Sequence, residues 1–225
     1  MSIKYAALFD MDGTLLQSET LVIPAFERTF DDLRKCGMYE GPTPSEDKLT
    51  GVLGMILPEL WKTLLPESTE ETHEWAAENM LKHNVDLLHE GIANLYPGVK
   101  EQLQLLREKG VKLFIASNGQ EKYISTIVEV FGIADWFTDL YSAGRFLTET
   151  KVELVAKLLR DYQVEHAVMV GDRKSDVEAG KGNQLFTIGC DFGFAKAGEL
   201  DGSDVIIKDF AELTRHIPFP IVQGN

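Results

Sequence analysis

Residues 8–16 read LFDMDGTLL, so two aspartates stand at the end of an apolar run and directly before a glycine and a threonine. The run YAALFD at 5–10 predicts a buried strand. Asp10 and Asp12 are two positions apart, so in an extended chain their side chains point in the same direction. Two carboxylates in close quarters repel and raise each other's pKa. In a chain with a formal net charge of -14, this pair indicates that a cation or a proton belongs there.

Short apolar runs alternate with helical patterns along most of the chain. Strands are predicted at 5–10, 111–117, 167–172, 185–189 and 204–208. Helices are predicted at 98–109, 120–131, 151–162, 175–181 and 209–216. The first three runs lack strict polar alternation, which is typical of strands covered on both faces. Strand and helix in regular succession predict an α/β protein with a parallel sheet.

Residues 16–92 interrupt this succession. Four apolar residues at helical spacing predict a first helix: Val22, Phe26, Phe30 and Leu33. Pro24 requires that this helix begin late or bend nearby. A second set predicts the apolar stripe of a long helix: Ala77, Leu81, Val85 and Leu88. Ser68 and Glu71 form a capping-box pattern before it. We therefore predict a helical insertion over residues 16–92, and a core formed by residues 1–15 and 93–225.

Composition limits the classes of partner. The chain has 225 residues, 44% of them hydrophobic, which is enough for a sizeable core. Its acidity argues against nucleic acid and anionic membranes as main partners, because both bind clustered Lys and Arg. No apolar stretch is long enough to span a membrane, and the N-terminus lacks a signal-peptide pattern. Cys36 and Cys190 form no CxxC motif, which indicates reduced thiols. We expect a cytoplasmic protein, monomeric or weakly dimeric, that binds a small molecule.

Two further strand ends carry polar side chains. IASNG at 115–119 places Ser117 and Asn118 just after a predicted strand, where a hydroxyl and backbone N–H groups suit a phosphate oxygen, although such a turn is also an ordinary helix cap. VGDRKSD at 170–176 contains Asp172 and Asp176, whose spacing suits one face of a starting helix. The helix dipole also favours acidic residues there.

Lys151 lies at the predicted start of a helix, since Thr150 and Glu153 fit a capping box. Cations prefer the other end of a helix, so this lysine either has a functional role or is a solvated surface residue.

The acidic side chains follow the carboxyl ends of the predicted strands, where ligands bind in open α/β sheets. Clustered oxygen ligands without His or Cys suit a hard cation, in particular Mg²⁺. Such an ion would free one aspartate to attack phosphorus and another to transfer a proton.

These motifs, in this order, resemble those of the haloacid dehalogenase-like hydrolase superfamily. Within that superfamily they resemble the phosphatase branch, of the phosphoglycolate phosphatase-like type. The resemblance spans essentially the whole chain, from DMDGT at 10–14 through Ser117 and Lys151 to GDRKSD at 171–176. It implies a Rossmann-like, doubly wound parallel sheet. It also implies that the helical insertion after the first strand is a small helical-bundle cap that controls specificity.

The resemblance further implies catalytic and metal-binding roles. Asp10 would be the nucleophile that forms an aspartyl-phosphate, and Asp12 would protonate the leaving oxygen and then activate water. Mg²⁺ would be held by the Asp10 carboxylate, the Asp12 backbone carbonyl and Asp172. Asp176 would lie beside these ligands or reach the ion through water.

Phosphate binding is implied for Ser117, Asn118 and Lys151. The sequence departs from many relatives at two positions. Val152 follows the lysine, where a proline is common. Arg173 follows the Gly-Asp pair, where a small hydroxyl residue is common; this arginine either forms a surface ion pair or alters the rim of the site.

The function expected from these residues is Mg²⁺-dependent hydrolysis of a small phosphomonoester. A sugar phosphomutase or an inorganic pyrophosphatase would share the same core residues, whereas Asp12 argues against a dehalogenase. A non-enzymatic phospho-acceptor or binding module is the alternative from another class, and it would need neither Asp12 nor the helical insertion. The sequence leaves the substrate open among phosphoglycolate, sugar phosphates, nucleoside monophosphates and pyrophosphate.

Overall fold

The sheet has the strand order that creates a crevice at its carboxyl edge. The computed structural model describes residues 2–219. Its six parallel strands lie in the order β3-β2-β1-β4-β5-β6. The strands are β1 Ile3–Phe9, β2 Lys112–Ser117, β3 Phe137–Ser142, β4 Val164–Gly171, β5 Phe186–Cys190 and β6 Val205–Ile207. Because the order reverses between β1 and β4, loops diverge there and leave room for a ligand. The predicted doubly wound α/β fold is confirmed.

Helices cover both faces of the sheet. They are α1 Glu19–Lys35, α2 Glu46–Gly51, α3 Leu57–Leu64, α4 Glu70–His89, α5 Val99–Glu108, α6 Glu121–Val130, α7 Ala143–Phe146, α8 Lys151–Asp161, α9 Lys174–Gly182 and α10 Leu213–His216. In β1, Ala7 and Phe9 belong to the core on one face, with α5 and α6. Ala6 and Leu8 belong to the core on the other, with α8 and α9. The prediction that this strand is buried on both faces is confirmed. No helix within residues 2–219 is long and apolar enough to cross a bilayer.

Strand β3 and the short helix α7 are absent from the sequence prediction. The strand lies at the edge of the sheet and, within residues 2–219, pairs only with β2. Its Thr138 is exposed and its Asp139 half-buried, so the segment shows no continuous apolar run. Edge strands tolerate such polar residues because one side meets solvent. Ser142 then caps α7 by accepting a hydrogen bond from the Arg145 backbone N–H at 3.0 Å.

Helix α1 runs through a proline. It begins at Glu19 and contains Pro24, so the first of the two alternatives, a late start, is wrong, and the bend stays a prediction. Phe26, Phe30 and Leu33 are fully buried, as their spacing predicts. Burying each of these side chains stabilises the fold by about 1.5–3 kcal/mol, which outweighs the one backbone hydrogen bond that proline removes.

Helix α4 begins one residue later than its capping-box pattern predicts. Thr69 is the cap, and its Oγ1 accepts a hydrogen bond from the Thr72 backbone N–H at 3.3 Å. The buried stripe is also shifted by one position along most of its length. The buried residues are Thr72, Ala76, Met80, Asn84, Leu87 and Leu88. The predicted Ala77 and Leu81 are only half-buried, and both line a cavity between the helical insertion and the sheet.

The two chain segments that join the helical insertion to the sheet lie side by side. The backbone N–H of Gln17 donates to the Asn94 carbonyl, and that of Tyr96 donates to the Leu15 carbonyl, both at 2.9 Å. Leu16 and Leu95 form an antiparallel bridge between these bonds. The insertion therefore enters and leaves the core through one hydrogen-bonded pair of segments.

Candidate active site

Three buried carboxylates meet at the carboxyl ends of β1 and β4. Asp10 follows β1, Asp172 follows β4, and Asp176 lies in the first turn of α9. One carboxylate oxygen from each lies within 4.8 Å of the others. Asp172 precedes the helix, so the prediction that it shares a helix face with Asp176 is wrong; the turn between β4 and α9 brings the two together. Asp10 Oδ2 is buried and has no hydrogen-bond partner among residues 2–219.

This cluster fits a hard divalent cation. Burial raises the pKa of Asp172 well above its usual value, and the neighbouring Asp10 and Asp176 raise it further. A bound cation would reverse this effect because it favours the charged carboxylates. The donor set consists of oxygen atoms, and one of them, Asp10 Oδ2, lacks a partner. The Asp12 side chain is not part of the cluster, and metal binding by its backbone carbonyl stays a prediction.

Lys151 is buried between the carboxylates. It is the first residue of α8, and the Thr150 Oγ1 accepts a hydrogen bond from the Glu153 backbone N–H at 3.2 Å. Its side chain is 1% exposed, and its Nζ lies 2.9 Å from Asp10 Oδ1 and 2.6 Å from Asp176 Oδ1. Burial lowers the pKa of Lys151, but the attraction of these two carboxylates outweighs burial and raises it. The interpretation of Lys151 as a solvated surface residue is therefore wrong.

Asp172 is held by two loops. Thr14 Oγ1 donates to Asp172 Oδ1 at 3.3 Å, and the Phe194 backbone N–H donates to Oδ2 at 2.6 Å. Gly13 has a φ of 75°, and a Cβ there would collide with the Asp172 carboxylate. A Cβ at Gly193 would collide with the same group. The sequence analysis missed the loop around Phe194, although a glycine shortly after a predicted strand was a usable signal.

Asp12 has two hydroxyl partners that the sequence analysis missed. Its Oδ1 accepts hydrogen bonds from Ser18 Oγ and from Tyr123 Oη, the latter at 2.7 Å. Burial raises the pKa of Asp12 to about 6, partly opposed by the Ser18 bond and assisted by Asp10. A carboxyl group of this kind can both hold and release a proton near neutral pH. Ser18 directly precedes α1, which is a sequence signal, but nothing in the sequence pairs Tyr123 with Asp12.

Ser117 and Asn118 lie at the end of β2 and line one cavity with Asp10 and Asp12. Ser117 Oγ accepts a hydrogen bond from the Gly119 backbone N–H at 3.2 Å. Asn118 Nδ2 donates to the Gly54 carbonyl of the helical insertion at 2.8 Å. Its remaining side-chain atom, Oδ1, is an acceptor and does not suit a phosphate oxygen. Phosphate binding by Asn118 therefore rests on its backbone N–H or on the second hydrogen of Nδ2, and it stays a prediction.

Arg173 connects the sheet to the helical insertion. Its Nε and Nη2 donate to the two carboxylate oxygens of Glu199 at 2.8 and 3.3 Å, and its Nη1 donates to the Leu53 carbonyl at 2.6 Å. Both interpretations left open apply: Arg173 forms an ion pair with Glu199, and through Leu53 it also contacts the rim of the cavity. Two core residues, Arg173 and Asn118, thus bind the Leu53–Gly54 segment of the insertion.

Comparison with known protein families gives the same result as the sequence motifs. A family model described as haloacid dehalogenase-like hydrolase matches residues 7–190. The chain belongs to the haloacid dehalogenase-like hydrolase family. The resemblance inferred from the sequence is thereby confirmed.

Relatives of this hydrolase carry phosphatase names. It is 28% identical over 186 residues to the pyrophosphatase PpaX of Listeria monocytogenes, covering 81% of each chain. It is 28% identical over 217 residues to a phosphoglycolate phosphatase of Vibrio vulnificus, covering 91% of this chain and 92% of that one. The crystal structure of CbbY from Rhodobacter sphaeroides in complex with phosphate shares the fold, with a TM-score of 0.80, 24% identity, and coverage of 93% and 96%.

Replacing the buried lysine tests the charge balance of the site. Lys151→Met should lower the free energy of unfolding by about 3–5 kcal/mol in the absence of divalent ions, because Asp10 and Asp176 lose their cation. Lys157→Met is the matched control on the same helix. Lys157 is 35% exposed and pairs with Asp161 at 2.9 Å, so this change should cost less than about 1 kcal/mol. Urea unfolding measures the free energy of unfolding of both variants. Equal losses would contradict the assignment of Lys151 as the buried partner of Asp10 and Asp176.

Removing the rim arginine tests the contact with the helical insertion. Arg173→Ala should speed hydrogen exchange of the peptide around Leu53 by roughly tenfold or more, because a charged donor to its carbonyl is lost. Lys174→Ala is the control, since that side chain is 70% exposed and contacts only Glu178 as an ion pair, at 3.5 Å. Mass-spectrometric exchange on both variants measures the effect. If the control variant matches Arg173→Ala, the contact does not hold the segment.

Proposed function

We propose that this hydrolase is a Mg²⁺-dependent phosphatase that acts on a small phosphomonoester through an aspartyl-phosphate on Asp10. Residues 16–92 act as a cap that controls specificity, and residues 1–15 and 93–225 form the catalytic core. The observation that carries the proposal is the buried cluster of Asp10, Asp172 and Asp176 around Lys151. The phosphatase names of the relatives support the same reaction class.

In the first step a carboxylate oxygen of Asp10 attacks phosphorus, and the bond from phosphorus to the leaving oxygen breaks. Asp12 gives its proton to that oxygen, so the product leaves as a neutral alcohol. Ser18 and Tyr123 hold the Asp12 carboxyl group in place for this transfer. Lys151 keeps Asp10 oriented through its contact with Oδ1.

In the second step water attacks phosphorus while Asp12 removes its proton. The bond between phosphorus and the Asp10 oxygen breaks, and inorganic phosphate leaves. Ser117 and Lys151 bind the transferring group, where positioning and charge neutralisation dominate the rate. Bound Mg²⁺, held by Asp10, the Asp12 backbone carbonyl and Asp172 with Asp176 beside them, would supply neutralising charge.

The Listeria relative supports inorganic pyrophosphate hydrolysis as the second candidate. That reaction uses the same nucleophile and differs in the leaving group, which is a phosphate instead of an alcohol. A phosphomutase would use these residues on a sugar bisphosphate, and a phospho-acceptor module would retain the phosphoryl group without releasing it. Release of inorganic phosphate from p-nitrophenyl phosphate separates an enzyme from the module.

Substitution of the two motif aspartates tests the assigned roles. Asp10→Asn should abolish turnover, and Asp12→Asn should lower kcat by about 10²–10⁴-fold, because a general acid is lost. Rapid acid quenching with phosphorus-labelled substrate should trap the label on Asp10. Asp135→Asn, at an exposed aspartate outside the site, should leave kcat unchanged. Label on another residue, or full activity in Asp10→Asn, would disprove the mechanism.

Thermal unfolding tests the metal site without measuring activity. Mg²⁺ at one hundred times its dissociation constant should stabilise the fold by about 2.7 kcal/mol, and so raise Tm. Asp172→Asn should shrink this Mg²⁺-dependent rise, because one charged ligand is removed, whereas Asp135→Asn should not. An undiminished rise in Asp172→Asn would mean that the ion binds elsewhere.

A further inference from the structure

The cavity above Asp10 has an apolar wall. It has a volume of about 70 Å³, which is room for more than one water molecule. Asp10, Asp12 and Ser117 line it from the carboxyl edge of the sheet. From the helical insertion it is lined by Met55, Leu57, Leu60, Ala77, Met80 and Leu81, among others. A substrate whose phosphoryl group reaches Asp10 would therefore place its leaving group against these side chains.

This cavity offers no free cation to a second anionic group. Within residues 2–219 its lining contains two aspartates and no lysine, arginine or histidine. Three cations line the groove next to this cavity, and each is already paired: Lys151 with Asp10 and Asp176, Arg173 with Glu199, and the exposed Lys174 with Glu178. A carboxylate or second phosphate in the leaving group would be buried without a counter-charge, which is strongly unfavourable.

Asn84 is the polar exception on the wall formed by the helical insertion. It lies on the buried stripe of α4, four residues after Met80, and it is 5% exposed. It lines the cavity, and its Oδ1 has no hydrogen-bond partner in the described part of the chain. Asn118 Oδ1, on the opposite side of the same cavity, is also buried and unpartnered. A buried amide oxygen without a donor costs free energy, so both positions suit a ligand hydroxyl.

We propose that the leaving group of the substrate is a small, uncharged alcohol with a further hydroxyl that hydrogen-bonds to Asn84. This inference rests on the phosphatase function proposed above and names its substrate class. The carbon skeleton lies against the methionine and leucine side chains, and the products are a neutral polyol or similar alcohol and inorganic phosphate. Substrates with an anionic leaving group, such as phosphoglycolate or pyrophosphate, are disfavoured by the same cavity.

Matched pairs of substrates test the charge requirement on the unaltered enzyme with Mg²⁺. Hydroxyethyl phosphate and phosphoglycolate differ by a CH₂OH group in place of a carboxylate, and so do glycerol phosphate and phosphoglycerate. In each pair kcat/KM for the neutral leaving group should be higher by roughly tenfold or more. Pyrophosphate should be hydrolysed no better than phosphoglycolate.

The role of Asn84 is tested by the preference for hydroxyethyl phosphate over ethyl phosphate, which lacks the hydroxyl. Asn84→Leu should reduce this preference by roughly tenfold, because the hydroxyl loses its partner. Asn79→Leu is the matched control on α4: Asn79 Nδ2 donates to the Trp75 carbonyl at 2.8 Å, and Asn79 is not among the residues that line the cavity. The control should keep the preference of the unaltered enzyme. A general structural defect would lower both rates without changing their ratio.

The outcomes separate this inference from the proposed function. If the enzyme hydrolyses phosphomonoesters but prefers the carboxylate member of either pair, or prefers pyrophosphate, the inference is overturned and the phosphatase function stands. If the preference survives in Asn84→Leu, the assignment of the hydroxyl to Asn84 is overturned. If no phosphomonoester, including p-nitrophenyl phosphate, releases phosphate, the proposed function fails and the inference fails with it.

Discussion

The burial of like charges at one edge of the sheet is the constraint on which this site depends. Asp10, Asp172 and Asp176 are almost completely excluded from solvent, and Lys151 is the cation that contacts two of them. Charges are stable in such a place only when each has a partner. The strand order supplies the space, because β1 and β4 are adjacent where the order reverses and their following loops diverge. The glycine at position 13 then lets the backbone approach the Asp172 carboxylate.

The helical insertion completes the site from the other side, and its contacts with the core are specific. Arg173 and Asn118 both reach backbone carbonyls of the segment at Leu53 and Gly54. The same contacts have an electrostatic consequence. Arg173 is already paired with Glu199, so the rim arginine contributes little uncompensated positive charge to the cavity. The wall that the insertion contributes to the cavity is otherwise apolar, and Asn84 is its polar feature. The selection by charge that we propose would depend on the same contacts that place the insertion.

Much of the fold could be predicted because its signals are local. The buried strands of the sheet centre, the capping residue Thr150 and the stripe of Phe26, Phe30 and Leu33 all follow from short-range periodicity. The predictions that were wrong or missing also have physical causes. Strand β3 is an edge strand with too few apolar residues, and α1 continues through Pro24 because buried side chains outweigh one lost hydrogen bond. In α4, Ala77 and Leu81 of the predicted stripe face a neighbouring cavity and are only half-buried, whereas Leu88 is buried as predicted.

The sequence by itself determined the chemical inventory: which aspartates and serine follow strand ends, which lysine begins a helix, and the family to which they point. Only the tertiary structure decided what those groups contact. Tyr123 donates to Asp12 across 111 positions of the chain, and Arg173 reaches Leu53 across 120. Asn84 is an ordinary polar residue in the sequence and becomes an unpartnered amide only once α4 packs over the strand ends. Periodicity and capping report neighbours a few residues apart, whereas hydrogen bonds and buried charges depend on distances in space that packing alone establishes.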